Sequence, residues 1–298
     1  MSVLNRLVAT ALPAIPKPIV RHFSRPYIAG ETVDDMVKTV KGLNADGYLA
    51  TVDILGELAK SFDRAETAGK EYLRVMDEMV ARGLKAKISV KLTQMGLKLD
   101  KDFCYSIMER IVAKAEEQNS FVRIDMEDSS VTSDTLAIYE RLRGRFGDRV
   151  GPVIQAYMRR SLDDVRKLAA HKANVRVCKG IYVEPREIAY KDGEIINRNF
   201  ELLVEELLEA GSYVGIATHD ERLVWSAFEI IERLGLAPDQ YEFQMLLGVD
   251  EELRRIIRDA GHRVRVYVPF GIKWHAYSVR RLRENPAIVG HVLENVFS

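Results

Sequence analysis

The chain is short of cysteine, of long apolar runs and of net charge, and each shortage removes a class of protein. Its two cysteines, Cys104 and Cys178, fall on separate predicted elements with no CxxC spacing. Neither a disulfide framework nor a zinc site is supported, and a reducing cytoplasm is the compartment that fits. Lys plus Arg and Asp plus Glu both number 44, so no overall field draws the protein to nucleic acid. No apolar run reaches the roughly 18 residues that span a bilayer. GxGxxG, P-loop, GxSxG and HExxH motifs are missing, which removes the usual dinucleotide, nucleoside-triphosphate and hydrolase signatures; a barrel can still bind a flavin without a glycine-rich loop. The histidines lack ligand spacing, so no metal site is expected.

What is present is a sizeable core and a repeating order of elements. With 298 residues and 47% hydrophobic content, the chain can bury one large domain or two small ones. Eight β-type runs recur: Leu49 to Ile54, Ala86 to Leu92, Phe121 to Met126, Gly151 to Tyr157, Val175 to Lys179, Tyr213 to Thr218, Tyr241 to Leu246 and Arg263 to Val268. Helical patterns separate them. Starts are expected at Ser161 (with Asp164 three residues on), Asp220 and Asp250, and glycine stops at Gly83, Gly211, Gly235 and Gly261. Strand and helix alternating eight times predict an α/β fold, a (βα)₈ barrel, over residues 44–298.

Parallel strands covered on both faces normally read as unbroken Val/Ile/Leu runs. Here Lys87, Ser89 and Lys91 alternate with Ala86, Ile88, Val90 and Leu92; Arg123, Asp125 and Glu127 alternate with Val122, Ile124 and Met126; Arg263, Arg265 and Tyr267 alternate with valines; and Gln155 and Tyr157 share one face. If the apolar set meets the helices, the charged set fills the lumen, where unpaired charge costs several kcal/mol. The alternative is a half-exposed antiparallel sheet, which the intervening helices disfavour. Lys91, Asp125, Lys179, Thr218, His219, Leu246 and Tyr267 lie near strand C-termini, the rim where such barrels carry their sites. Lys91 and Asp125 form either a charge couple for a substrate's ammonium and carboxylate or a structural ion pair. Beyond the last strand, Tyr277, Arg280, Arg281 and Glu284 fall on one helical face, a spacing that presents two guanidinium forks to one small anion with Glu284 holding Arg280. Arg159-Arg160 and Arg254-Arg255 are similar pairs, and such pairs usually sit on solvated faces.

Residues 1–43 read as an N-terminal helical arm, basic and without acids over its first 30 positions, where Arg6, Lys17, Arg21 and Arg25 are interleaved with apolar residues and interrupted by Pro13, Pro16 and Pro18. The expectation is an amphipathic segment that packs on the barrel or on a second copy in a homo-oligomer, or that touches a membrane surface.

Taken together, Ser89-Val90-Lys91-Leu92, Asp125-Met126-Glu127, Gln155-Ala156-Tyr157, Arg176 through Tyr182, Ala217-Thr218-His219, Tyr241 through Leu246 and Tyr277 through Asn285 resemble the proline dehydrogenase family in its short monofunctional bacterial form. The matching segments fall in order on the second to seventh predicted strands and on the helix after the eighth. The resemblance implies a distorted barrel with non-covalent FAD that oxidises L-proline to Δ1-pyrroline-5-carboxylate and reduces a quinone, with the protein cytoplasmic or peripheral on the inner face of the membrane. It further implies that Arg280 and Arg281 clamp the proline carboxylate with help from Lys91, that Glu284 orients them, and that Tyr267, Tyr277 and Leu246 pack around the ring. Asp125 and Arg176 stand beside the flavin as the catalytic pair, and Met126, Gln155, Lys179, Gly180, Ile181, Thr218 and His219 are its contacts. Ser278 and Ile181 depart from the residues most common in the family. The competing readings are a 4-hydroxyproline dehydrogenase of the same fold, against which the bulky Tyr267 argues, and a barrel that binds an amino acid without catalysis.

Overall fold

The computed structural model describes residues 20–21 and 24–284, with side chains as far as Val279. Its centre is a closed barrel of eight parallel strands in sequence order: β1 (Leu49–Ile54), β2 (Ala86–Lys91), β3 (Val122–Asp125), β4 (Val150–Gln155), β5 (Val175–Cys178), β6 (Val214–Ala217), β7 (Tyr241–Leu246) and β8 (Val264–Phe270). Closure comes from β8 pairing back on β1, from Leu49 opposite Arg265 to Ile54 opposite Phe270. This is the (βα)₈ architecture the alternating pattern predicts, with parallel pairing throughout.

Helix α1 (Val33–Ala45) precedes the barrel, and α2 (Phe62–Ala81), α3 (Lys101–Glu117), α4 (Ser129–Phe146), α5 (Ser161–Ala169), α6 (Gly193–Glu209), α7 (Glu221–Arg233) and α8 (Glu251–Asp259) follow β1 to β7 in turn. Helix starts follow the sequence signals closely. Asp220 accepts from the Arg222 amide and Asp250 from the Leu253 amide, which satisfies donors that the first helical turn leaves open. The expected stops Gly83, Gly211, Gly235 and Gly261 all have positive φ just past a helix. The start at Ser161 differs. Its hydroxyl donates to the Gln155 carbonyl at 2.5 Å and Asp164 pairs with Arg160 at 2.6 Å, so no capping box forms; the short β4–α5 turn brings a strand-end carbonyl within reach first.

Helix α9 (Trp274–Glu284), the last among the described residues, gives the barrel its distortion. In a regular barrel the helix after β8 would cover the seam between β8 and β1. Here α1 packs on both of those strands, and α9 crosses the C-terminal mouth, where Tyr277 and Trp274 pack with Tyr27, Leu55 and Val249. Backbone bonds from Ala29 to Pro269 and from Gly271 to Gly30 (both 2.9 Å) tie the approach to α1 to the end of β8. The Trp274 indole donates to Glu31 at 3.0 Å. Of the expected arm, residues 1–19 and 22–23 lie outside the described residues.

Apolar faces of the strands meet the helices in one core that runs from Met36 to Phe270. The polar faces meet one another in the lumen, as the alternation predicts. Arg265 forms a two-point pair with Glu242, at 2.6 and 2.9 Å, and both side chains are buried. Arg123 donates to the Pro152 and Asn174 carbonyls at 2.8 and 2.7 Å. Arg263 is the exception, exposed at the N-terminal rim just before β8.

Burial alone would raise the Glu242 carboxyl, but the charge and hydrogen bonds of Arg265, followed by the charge of Lys87, pull it down to about 2. A depressed folded-state pKa stabilises the fold above the group's ordinary value of 4.5, and that contribution is lost as pH falls toward about 2. Glu242→Gln is therefore expected to cost about 2 kcal/mol near neutral pH. Its stability gap from the wild type, measured by urea denaturation, should narrow as pH drops through that window. A constant gap from pH 7 to pH 3 would show that the ionised pair contributes nothing.

Candidate active site

The C-terminal ends of the strands surround a cavity of about 570 Å³, in the range of small-molecule and cofactor sites. The structure brings thirteen sequence-predicted residues onto its wall: Lys91, Asp125, Met126, Gln155, Arg176, Lys179, Gly180, Ile181, Thr218, His219, Leu246, Tyr267 and Tyr277. The remaining three, Arg280, Arg281 and Glu284, are carried by α9, and their side chains lie outside the described residues. Their positions can still be read from the backbone. Lys273, Ala276 and Tyr277 line the cavity, and adding steps of three and four along the helix leads to positions 280, 281 and 284 on the same stripe.

At the cavity floor four side chains form one hydrogen-bonded unit around Asp125. Its Oδ1 accepts from Ser89 Oγ at 2.5 Å and from Arg176 Nη1 at 2.8 Å. Its Oδ2 accepts from the Tyr267 hydroxyl at 2.7 Å, and Lys91 Nζ lies 3.3 Å away. Burial by itself would raise this carboxyl; Lys91, Arg176 and the two hydroxyl donors outweigh it and hold Asp125 below the ordinary carboxylate range. The Tyr267 phenol is pushed well above its usual value, first by burial and then by the charges of Asp125 and Asp53, so it stays a neutral donor.

Lys91 has a partner that the sequence reading did not single out. Asp53, at the end of β1, takes its ammonium with both oxygens at 2.8 Å. Lys91 also donates to Tyr267 at 3.2 Å. Burial would strip its charge, yet Asp53 and Asp125 raise its pKa and keep it protonated. The couple of Lys91 with Asp125 thus exists as a triad with Asp53, its charges compensated from within the protein. A signal for Asp53 was present: Thr51 and Asp53 alternate with apolar neighbours in β1 just as Ser89 and Lys91 do in β2.

Arg176 is oriented from two sides, since its Nε donates to Gln244 Oε1 at 2.5 Å while Nη1 reaches Asp125. Gln244 in turn donates to Glu242 at 2.7 Å. This clamps the guanidinium plane and leaves Nη2 as the donor available to the cavity, a role for Gln244 that no local pattern marks.

The opposite wall is built from strand-end turns. Lys179 pairs with Asp220 at 2.5 Å, and the Asp220 amide donates to Thr218 Oγ1 at 3.0 Å. The Leu246 amide donates to His219 Nε2 at 2.8 Å, which makes that nitrogen an acceptor and puts the proton of a neutral ring on Nδ1. Gln155 donates to the Glu127 carbonyl at 2.9 Å. Gly180 turns at φ 101°, where a Cβ would come within 2.3 Å of the Tyr157 ring. Only glycine lets this turn lie flat on that ring and leave the cavity open beside it.

A family model described as proline dehydrogenase matches residues 36–293. The chain is 36% identical over 273 residues to Proline dehydrogenase 1 of Bacillus subtilis, an alignment covering 92% of this chain and 90% of that protein. It is 35% identical over 274 residues to Proline dehydrogenase of Deinococcus radiodurans, covering 91% and 88%. Among solved structures, proline utilization A (PutA) from Bdellovibrio bacteriovorus inactivated by N-propargylglycine superposes with a TM-score of 0.85 at 26% identity, over 94% of this chain and 37% of that longer one.

Proposed function

This chain belongs to the proline dehydrogenase family, and from that premise we propose that it oxidises L-proline to Δ1-pyrroline-5-carboxylate using FAD and hands the electrons to a quinone. It is an oxidoreductase of proline catabolism. The observation that carries the finer reading is the Asp125–Arg176–Lys91–Tyr267 unit, locked at the floor of a cavity that Ala276 and Tyr277 of α9 also line.

The residues fit a flavin on three counts. Arg176 keeps a clamped guanidinium with a free donor at the floor; Gly180 provides a turn that a side chain would close; and Met126, Val153 and Met245 supply apolar wall between polar groups. Arg176, Met126, Gln155, Lys179, Gly180, Ile181, Thr218 and His219 would hold the group. When bound, FAD supplies the two-electron acceptor for hydride leaving the ring carbon beside the proline nitrogen.

The chain's own residues do the rest by positioning and charge. Arg280 and Arg281 take the substrate carboxylate in charge-assisted bonds, Lys91 adds a third positive centre, and Glu284 orients the forks. Tyr267, Tyr277 and Leu246 wall the ring and exclude water, which fixes the reacting carbon in one approach. Asp125 is a poor proton acceptor because its oxygens are filled by donors and its pKa is depressed. We assign it to positioning Arg176 and Tyr267. Tyr267 cannot swing aside while held by Asp125 and Lys91, so its phenol occupies space that a ring hydroxyl would need, which supports proline over 4-hydroxyproline. Among the described residues no helix is long and apolar enough to cross a membrane. A lipid-dissolved quinone would therefore be met at a surface, with the N-terminal arm as the proposed contact.

Purified protein is expected to carry flavin absorbance that L-proline bleaches without oxygen, and trans-4-hydroxy-L-proline should bleach it far more slowly. Protein that binds proline with no flavin, or whose flavin ignores saturating proline, would establish the binding-only reading instead.

A further inference from the structure

The barrel has a second cavity at its other end, outside the N-terminal ends of β1, β2 and β8. Its volume is about 280 Å³, and it is bounded by three cations, Lys85, Lys87 and Arg265, and by an apolar wall that includes Met76, Met79 and Leu84. Among the described residues no Asp or Glu lines it. Glu242, the carboxylate beside Arg265, is already occupied: Oε1 accepts from Arg265 and Gln244 at 2.6 and 2.7 Å, and Oε2 from Arg265 and Tyr213 at 2.9 and 3.0 Å. Arg123 adds further positive charge behind it and spends its donors on backbone carbonyls and Asn174.

Lys87 is the group this arrangement leaves over. Among the described residues its ammonium makes no hydrogen bond or ion pair, and faces only the rings of Phe121 at 4.8 Å and Tyr213 at 5.9 Å. Burial, then the charges of Arg265, Arg123 and Arg263 against that of Glu242, lower it to about 8. A half-buried ammonium with no counter-ion, beside the exposed Lys85 and the Glu242-paired Arg265 and with open volume in front of it, is a site short of one anion.

We propose that this cavity binds a small organic carboxylate, with its oxygens between Lys87, Lys85 and Arg265 and its carbon body on Met76, Met79 and Leu84. The apolar wall favours a carbon chain over a bare inorganic ion, because burying those carbons removes apolar surface from water. The lack of any lining carboxylate disfavours an amino acid, whose ammonium would go unpaired among cations. The site is therefore distinct in chemistry, as well as in place, from the cavity at the opposite end.

The test is calorimetric titration of the full chain at pH 7 with sodium butyrate, and separately with inorganic phosphate. It is run on Arg281→Met, so that a carboxylate seated on the α9 arginines does not confuse the count. One saturable butyrate site is expected there, weakened at least tenfold by adding Lys87→Met and largely restored by Lys87→Arg. Butyrate should also raise the thermal midpoint of Arg281→Met, a readout that remains if the Lys87 variants fail to fold. The proposal is overturned if butyrate neither binds nor stabilises Arg281→Met, or if Lys87→Met binds it unchanged. Phosphate binding as tightly as butyrate would overturn the assignment to a carboxylate.

Discussion

Asp125→Asn is expected to slow proline-dependent flavin reduction by on the order of 10²- to 10³-fold, the usual cost of disturbing one preorganised electrostatic group, in a protein that still folds and holds its cofactor. Asparagine keeps the volume and one acceptor for Ser89 and Arg176, while the negative charge that balances Lys91 and Arg176 disappears. Tyr267 loses its charged acceptor and Arg176 its fixed plane. Asp125→Ala is expected to go further and lower stability by about 3–5 kcal/mol, since it leaves the buried Arg176 guanidinium without its carboxylate. Lys91 retains Asp53 in either variant, so the loss centres on Arg176. Stopped-flow reduction measured beside thermal unfolding separates the two effects. A folded, flavin-bearing Asp125→Asn protein reduced at the wild-type rate would remove Asp125 from the mechanism.

Arg281→Met and Arg280→Met should each raise the proline KM by about thirtyfold to several hundredfold, equivalent to about 2–4 kcal/mol for one lost charge-assisted fork. Flavin content should stay unchanged, because the proposed role of both arginines is toward the substrate carboxylate and the proposed flavin contacts are carried by other elements. The ratio of effects on KM and kcat is informative. A pure carboxylate clamp acts on ground and transition states alike and moves mainly KM. A matching fall in kcat would mean that the arginines also set the approach of the ring. Wild-type kinetics in both variants would sink the clamp and with it the stripe argument.

Much of this architecture is written in local patterns. Period-two alternation in β2, β3 and β8 announced strands with a polar inner face, because successive side chains of a strand must point to opposite sides. Asp220, Asp250 and the glycine stops announced helix ends, because the orphan backbone groups there need a near partner or a left-handed residue. Positions 277, 280, 281 and 284 announced one helical face for the same kind of reason, and the nearest neighbours of that face line the cavity. What no local pattern could settle is which inward side chain meets which. Lys91 takes Asp53 more closely than Asp125, Gln244 locks Arg176, and Ser161 bonds a strand carbonyl in place of capping its own helix. Those choices depend on strand register and closure, which place β1 between β2 and β8 and β5 within reach of β7. The displacement of α9 is of the same kind: α1, from the other end of the chain, covers the β8–β1 seam, so α9 must bury Tyr277 elsewhere and does so across the mouth. Local sequence determines the elements and their faces through short-range sterics and hydrogen bonding; the partners across the lumen are chosen only when distant strands close into one ring.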